Sequence, residues 1–280
     1  METRVTSATE EVIIGNDRPT VFIGERINPS GNKRLAEALR KSNWKVVRNM
    51  ALAQVQAGAD IIDVNVSTHG VDEITLLPEA VQILTDAVQV PLCIDSANPT
   101  ALEAALKVYK GKALINSVTG EEHSLEKVLP LAREHKAAVI GLVQDDAGVP
   151  KDKEQRVSAA HKIVTQAELN GIPREDIIID CLVCAIGADT NSGPEVIKAI
   201  SQVRAELGVN QTLGASNVSF GLPDRDLLNN AFIALCIGAG VTCLIADVAR
   251  SRSAALAVDL ISGRDKYARR YIEAYRQRRQ

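Results

Sequence analysis

Asp95, Asn116, Asp180 and Asn217 each stand at the end of a short apolar run, and these four endings are where the chain has residues suited to chemistry. Two are carboxylates, which only accept hydrogen bonds when ionised. Two are amides, which both donate and accept. Such a set suits a flat ligand with several N–H donors and a carbonyl. It does not suit a phosphate, because no strand end carries a lysine or a glycine-rich cradle. Asn217 limits the chemistry most. It sits in Gly214-Ala215-Ser216-Asn217-Val218-Ser219-Phe220-Gly221-Leu222-Pro223, placing a neutral amide where many enzymes use an acid or a base. Taken singly, each of these residues has a plainer reading, because Asp and Asn commonly cap the next helix or form a turn. Cys181-Leu182-Val183-Cys184 has metal-type spacing, but no second pair or nearby His completes a zinc set, so it reads as packing.

The elements that must position these residues alternate. Short runs rich in Val, Ile and Leu fall at Thr20–Gly24, Ile61–Val66, Pro91–Asp95, Ala113–Asn116, Ala138–Val143, Ile177–Leu182, Thr212–Ala215 and Thr242–Ala246. Most are apolar at consecutive positions, as strands buried on both faces are. Longer segments of helical spacing lie between them, such as Val157, Ala160, Ile163, Val164 and Ala167. Eight strand–helix units predict an α/β fold, a single closed (β/α)8 barrel with its helices outside. Gly58 and Gly240 stand where a helix must end and turn into the next strand. An open doubly wound sheet would need fewer strands and a glycine-rich first turn, whereas Gly24-Glu25-Arg26-Ile27-Asn28 has one glycine.

In a barrel the site is built at the carboxyl ends of the strands. Those ends here also carry Asp63 and Asn65, Gln144, Asp145 and Asp146, Ser216 and Asp247. Polar residues at every strand end are harder to explain as caps than any one alone. A pterin or a purine-like ring fits this set. Sugar hydrolysis by a pair such as Asp63 and Asp95 stays open on composition.

Composition narrows the class. The 280 residues carry 32 Lys and Arg against 35 Asp and Glu, so no field draws the chain to nucleic acid or an acidic membrane. Aromatics are 3%, too few for a base-stacking platform. Five cysteines, mostly in apolar runs, read as reduced thiols of a cytoplasmic protein. The N-terminus has no apolar core of a signal peptide, and no apolar run approaches a membrane span. No composition shift marks a second domain, so residues 1–280 read as one barrel domain with a short N-terminal extension. The basic segment Arg264–Gln280 reads as a solvated surface helix.

Together Gly24-Glu25-Arg26-Ile27-Asn28, Asp63-Val64-Asn65-Val66, Ile94-Asp95-Ser96, Asn116-Ser117 and Ser216-Asn217-Val218-Ser219 resemble the pterin-binding methyltransferases, and within them the methyltetrahydrofolate:corrinoid protein methyltransferases. The resemblance runs from Thr20 to Ser262, with five motifs in order on successive strands, and that family's fold is a (β/α)8 barrel. It implies that Asp95, Asn116 and Asp180 hydrogen-bond the pterin and that Asn217 reaches N5, the atom that carries the methyl group. Asp63 and Asn65 resemble residues that shape the pocket, and Gln144, Asp145 and Asp146 a segment bordering the pterin. Ser219 belongs to the last motif, and Arg225 is a candidate contact to the folate tail or the pocket wall. The resemblance further implies tetrahydrofolate or methyltetrahydrofolate as substrate and a corrinoid (cobalamin) whose cobalt arrives on a partner corrinoid protein. No metal is expected in the barrel, and a homodimer is expected. The rival readings are dihydropteroate synthase, whose seventh strand carries a lysine where this chain has Ala215-Ser216-Asn217, and a non-catalytic folate-binding protein.

Overall fold

The computed structural model describes residues 1–278. Positions 279 and 280, the last two of the basic tail, lie outside the described residues. Eight parallel strands form the central sheet: β3 (Val21–Ile27), β4 (Ile61–Val64), β5 (Leu92–Asp95), β6 (Leu114–Thr119), β7 (Ala138–Leu142), β8 (Ile177–Asp180), β9 (Asn210–Thr212) and β10 (Cys243–Ala246). Their order is β10-β3-β4-β5-β6-β7-β8-β9, and the ring closes where Gly214, just past β9, bridges Ile245 of β10. The Ile245 N–H donates to the Leu213 carbonyl at 3.1 Å across that seam. The (β/α)8 barrel expected from the alternating runs is therefore the observed fold.

The helices follow the strands: α1 (Lys33–Arg40), α2 (Trp44–Gln56), α3 (Glu73–Ala87), α4 (Pro99–Val108), α5 (Glu122–Glu134), α6 (Lys153–Leu169), α7 (Ser192–Leu207), α8 (Arg225–Ala239), α9 (Val248–Ile261) and α10 (Arg269–Gln277). Polar side chains start several of them. Asn32, Asp72, Asn98 and Asp152 each accept a backbone N–H of the first helical turn, satisfying donors that a helix start leaves without a partner. The helices around the barrel turn apolar faces toward the outer face of the sheet, in a shell that includes Leu35, Leu77, Leu102, Leu129, Ile163 and Ile200. α10 packs against α9. Arg270 of α10 reaches Asp60 at 3.5 Å, so part of the basic tail is anchored to the barrel.

Two features depart from the sequence reading. The N-terminal extension is an antiparallel hairpin of β1 (Glu2–Thr6) and β2 (Glu11–Gly15). It closes the floor of the barrel: Val5 and Ile14 join the inner core of Val21, Ile23, Ile61, Cys93, Leu114, Ile140, Ile178 and Cys243. Asn210 ties hairpin and barrel together, its amide N–H groups donating to Thr3 Oγ1 at 2.9 Å and the Ile14 carbonyl at 3.1 Å. That role explains the second departure. β9 starts at the polar pair Asn210 and Gln211, two residues before the apolar run at Thr212. Similarly β3 continues to Ile27, which brings Glu25 into a strand.

Candidate functional site

Alternation along the strands builds the site. Side chains two residues apart on a strand face the same side. The position two past each inner core residue therefore faces the interior one layer nearer the mouth. From Ile23, Ile61, Cys93, Leu114, Ile178 and Cys243 this step leads to Glu25, Asp63, Asp95, Asn116, Asp180 and Ile245. All six line one cavity of about 970 Å³ at the carboxyl ends of the strands. Arg26 of β3, Asn28 and Lys33 from the segment after it, and Gly214, Ser216, Asn217, Phe220 and Arg225 from the segment after β9 add to its wall.

The polar groups are connected. The Asn116 amide donates to Asp63 Oδ1 at 3.0 Å, and Asp95 and Asn116 are paired neighbours in adjacent strands. Asn65 bonds the Asp95 carboxylate and accepts the Ser67 N–H at 2.9 Å. Asp180 accepts the Leu182 N–H at 2.7 Å. On the other wall Ser216 donates to Glu25 at 2.6 Å. Arg225 donates to the Ser216 carbonyl at 2.7 Å and to the Ser219 hydroxyl at 3.0 Å. Asn217 is exposed at the mouth and, among the described residues, no side-chain hydrogen bond holds its amide. Gly214 gives that amide room, because a Cβ there would lie 3.1 Å from Asn217 Nδ2.

Burial dominates the electrostatics, since a charge loses hydration in the cavity. It pushes Asp180 up to about 6, against hydrogen bonds from the Leu182 and Gly214 backbone. It pushes Asp95 up to about 6, opposed by the Asn65 hydrogen bond and aided by the charge of Glu73. Asp63 is held well above the ordinary carboxylate range by burial and then by the Asp95 charge. Glu25 is raised by burial, against the Ser216 hydrogen bond, with the Asp247 charge adding to the rise. The carboxylates of the cavity, when ionised, accept hydrogen bonds and donate none, the chemical complement of a ring rich in N–H groups.

The remaining sequence candidates lie elsewhere. Gln144 bonds Glu121 at 3.1 Å, Asp145 accepts the Ala147 N–H at 2.9 Å within its own turn, and Asp146 meets Lys162 at 3.3 Å. None of the three lines the cavity. Ser219 is fully buried and acts on the wall through Arg225. Glu25, Ser216, Phe220 and Ile245 line the cavity with no role assigned to them from the sequence; for Glu25 and Ile245 the signal was available, two residues on from an inner apolar position. The cysteines are all free thiols, four of them buried, and Cys184 is partly exposed. Among the described residues no His, Cys, Asp and Glu cluster is arranged to hold a metal ion, and no helix is long and apolar enough to cross a membrane.

A floored parallel barrel with carboxylates and amides ringing its open mouth is a (β/α)8 protein whose mouth has the chemistry to hold a polar heterocycle. The family model described as pterin binding enzyme matches residues 24–247, and the chain belongs to that family. It is similar to the methylcorrinoid:tetrahydrofolate methyltransferase of Eubacterium limosum, with 31% identity over 92% of this chain and 96% of that protein. It is also 30% identical, over 87% of its length, to the methionine synthase of Mycobacterium tuberculosis, of which the match covers 22%. Among solved structures, a dihydropteroate synthase of Xanthomonas albilineans superposes with a TM-score of 0.72 at 20% identity, covering 94% of this chain and 98% of that one. The enzyme of Stenotrophomonas maltophilia superposes at 0.71 with 20% identity, covering 89% and 95%. At such identities the structures speak to the fold.

Proposed function

We propose that this protein is a methyltransferase that moves a methyl group between N5 of tetrahydrofolate and the cobalt of a corrinoid, the folate lying in the barrel mouth and the corrinoid arriving on a separate protein. The observation that carries this reading is that one cavity brings together the polar set Asp95, Asn116 and Asp180 with an uncommitted amide, Asn217. The acceptors suit the N–H groups of a pterin, and the free amide of Asn217 at the same mouth suits a contact to N5. The likeness to a methylcorrinoid:tetrahydrofolate methyltransferase over nearly the whole chain supports the same assignment.

With methyltetrahydrofolate as donor, the bond from N5 to the methyl carbon breaks and its electron pair stays on N5, while the cobalt nucleophile forms the new bond to carbon. N5 leaves better if a hydrogen bond to it strengthens as that pair develops, and only interactions stronger in the transition state raise the rate. Asn217 supplies an N–H without a matched pKa. With tetrahydrofolate as acceptor, N5 is the nucleophile and the barrel mainly aligns the reacting atoms. Asp63 and Asn65 serve by holding Asn116 and Asp95, and Arg225 by bracing the turn that carries Asn217.

A synthase reading needs a cradle for pyrophosphate. Cations do stand at the mouth in Arg26, Lys33 and Arg225, but Arg225 is committed to Ser216 and Ser219, and the turn after β9 has no lysine. The free cysteines support a cytoplasmic setting. Support for a homodimer comes from the apolar groove between α7 and α8, lined by Ile197, Leu222, Leu228, Phe232 and Leu235, with Leu235 58% exposed.

Asn217→Ala tests the proposal. It should slow transfer from methyltetrahydrofolate by at least about a hundredfold, the scale of one transition-state hydrogen bond, while folate affinity falls far less. Folate binding with no methyl exchange to any corrinoid in either direction would leave a non-catalytic folate-binding protein as the better reading.

A further inference from the structure

We propose that Glu25 is a positioning residue that aims Asn217 by holding Ser216, so that the end of the first barrel strand sets the geometry of the turn after the seventh. The inference rests on the role given to Asn217 above. The Asn217 side chain has no hydrogen bond of its own among the described residues, so its direction follows from the backbone that carries it. That backbone is a single tight turn, Ala215–Asn217, in which the Asn217 N–H donates to the Gly214 carbonyl at 3.2 Å. The residue just before Asn217 is gripped from two sides. Its hydroxyl donates to Glu25 at 2.6 Å, and its carbonyl accepts from Arg225 at 2.7 Å. The Arg225 grip is local, nine residues along the chain. The Glu25 grip spans 191 residues and ties this turn to the strand beyond the closing seam.

The charges around Glu25 fit a structural acceptor better than a free acid. Asp247, whose carboxylate lies 3.7 Å from Arg26 and 3.5 Å from Arg250, adds negative charge beside it, while Arg26 and Arg225 oppose that effect. Whether ionised or neutral, the Glu25 carboxyl retains an oxygen for the Ser216 hydroxyl, as a glutamine would. Holding an uncharged donor within a fraction of an ångström is worth rate, because misplacement by about 1 Å can cost on the order of a hundredfold.

The test uses the whole protein with methyltetrahydrofolate and free cob(I)alamin in single turnover, with folate affinity measured separately. Glu25→Ala should slow transfer by about tenfold or more while the folate Kd moves less than about threefold, a loss confined to the transition state. Ser216→Ala should give the same loss, and the double variant no more than either, since the two act as one unit. Glu25→Gln should recover most of the rate. In the folate complex, the 15N side-chain amide resonance of Asn217, assigned by its disappearance in Asn217→Asp, should shift in Glu25→Ala and return in Glu25→Gln. Equal losses of rate and affinity, additive losses, or a Gln variant as slow as the Ala variant would overturn the proposal. So would an Asn217 resonance that ignores Glu25→Ala. If the wild type binds folate and transfers no methyl, the methyltransferase reading fails, and the amide resonance still decides the role of Glu25.

Discussion

Burial pushes the carboxyls of Asp95 and Asp180 up to about 6, so both titrate inside the working range of most assays. A ligand that donates N–H groups to them binds the ionised forms. Its affinity should therefore be constant well above pH 6 and fall as pH drops through 6, by about tenfold per pH unit for each proton taken up. Equilibrium titration of folate between pH 7.5 and 5 measures this, and an affinity that is flat or rises toward acid would show that these carboxyls are not the acceptors. The same two residues, with Asn116 and Asn217, were legible in the sequence because each ends an apolar run. Glu25 was less so, because β3 carries on through it to Ile27 and the apolar run stops at Gly24. What identifies Glu25 is alternation within the strand, two positions past buried Ile23, and not the end of the hydrophobic stretch. Gln144, Asp145 and Asp146 illustrate the opposite limit: they follow β7 as polar residues should, yet bond to the neighbouring loop and to themselves, and only three-dimensional contact reveals that.

At the scale of elements, seven of the barrel strands announced themselves as apolar runs, because in a barrel both faces of a strand are covered. β9 did so less clearly, since Asn210 and Gln211 are buried and polar: one bonds the hairpin, the other donates to the Ile200 carbonyl of α7. The hairpin itself was missed because a five-residue strand that alternates, with Thr3 and Val5 inward and Arg4 outward, carries little hydrophobic signal. Its attachment is specific. The Thr6 N–H and hydroxyl pair with Lys112, and the Tyr109 hydroxyl donates to the Thr6 carbonyl at 2.9 Å. Gly111 makes this approach possible: its φ is +139°, and a Cβ there would lie 2.2 Å from the Thr6 carbonyl oxygen. Gly111→Ala should therefore cost about 2 kcal/mol or more in urea unfolding, through backbone strain and a displaced hairpin. Folate affinity should hardly change, because the cavity is at the other end of the barrel. A neutral effect on stability would mean the hairpin sits more loosely on the floor than the contacts describe.

For the molecule as a whole, the raised carboxyls at the barrel mouth come at a cost in stability. A carboxyl whose folded pKa is raised contributes stability that is fully present below its unfolded pKa and is lost as pH rises through the folded value. For Asp180 that window runs from 3.8 to about 6. Above it, the 6% exposed carboxylate is a buried charge whose lost hydration two backbone N–H groups offset only in part. Each pH unit of that window is worth about 1.4 kcal/mol, so the penalty is on the order of 2–3 kcal/mol. Asp180→Asn keeps an oxygen for the Leu182 N–H and removes the charge. The variant should thus melt roughly 5 °C above the wild type at pH 7.5 without ligand, given about 2–4 °C per kcal/mol for a domain of this size. The difference should shrink by about two-thirds at pH 4.5 and vanish only below the unfolded value of 3.8, and the variant should lose folate affinity at pH 7.5. That exchange of stability for binding is what a site preorganised for N–H donors requires. Calorimetric scans at the two pH values decide it: a variant that melts below the wild type at pH 7.5, or a gap as large at pH 4.5 as at pH 7.5, would mean that the Asp180 charge is not what costs the barrel its stability.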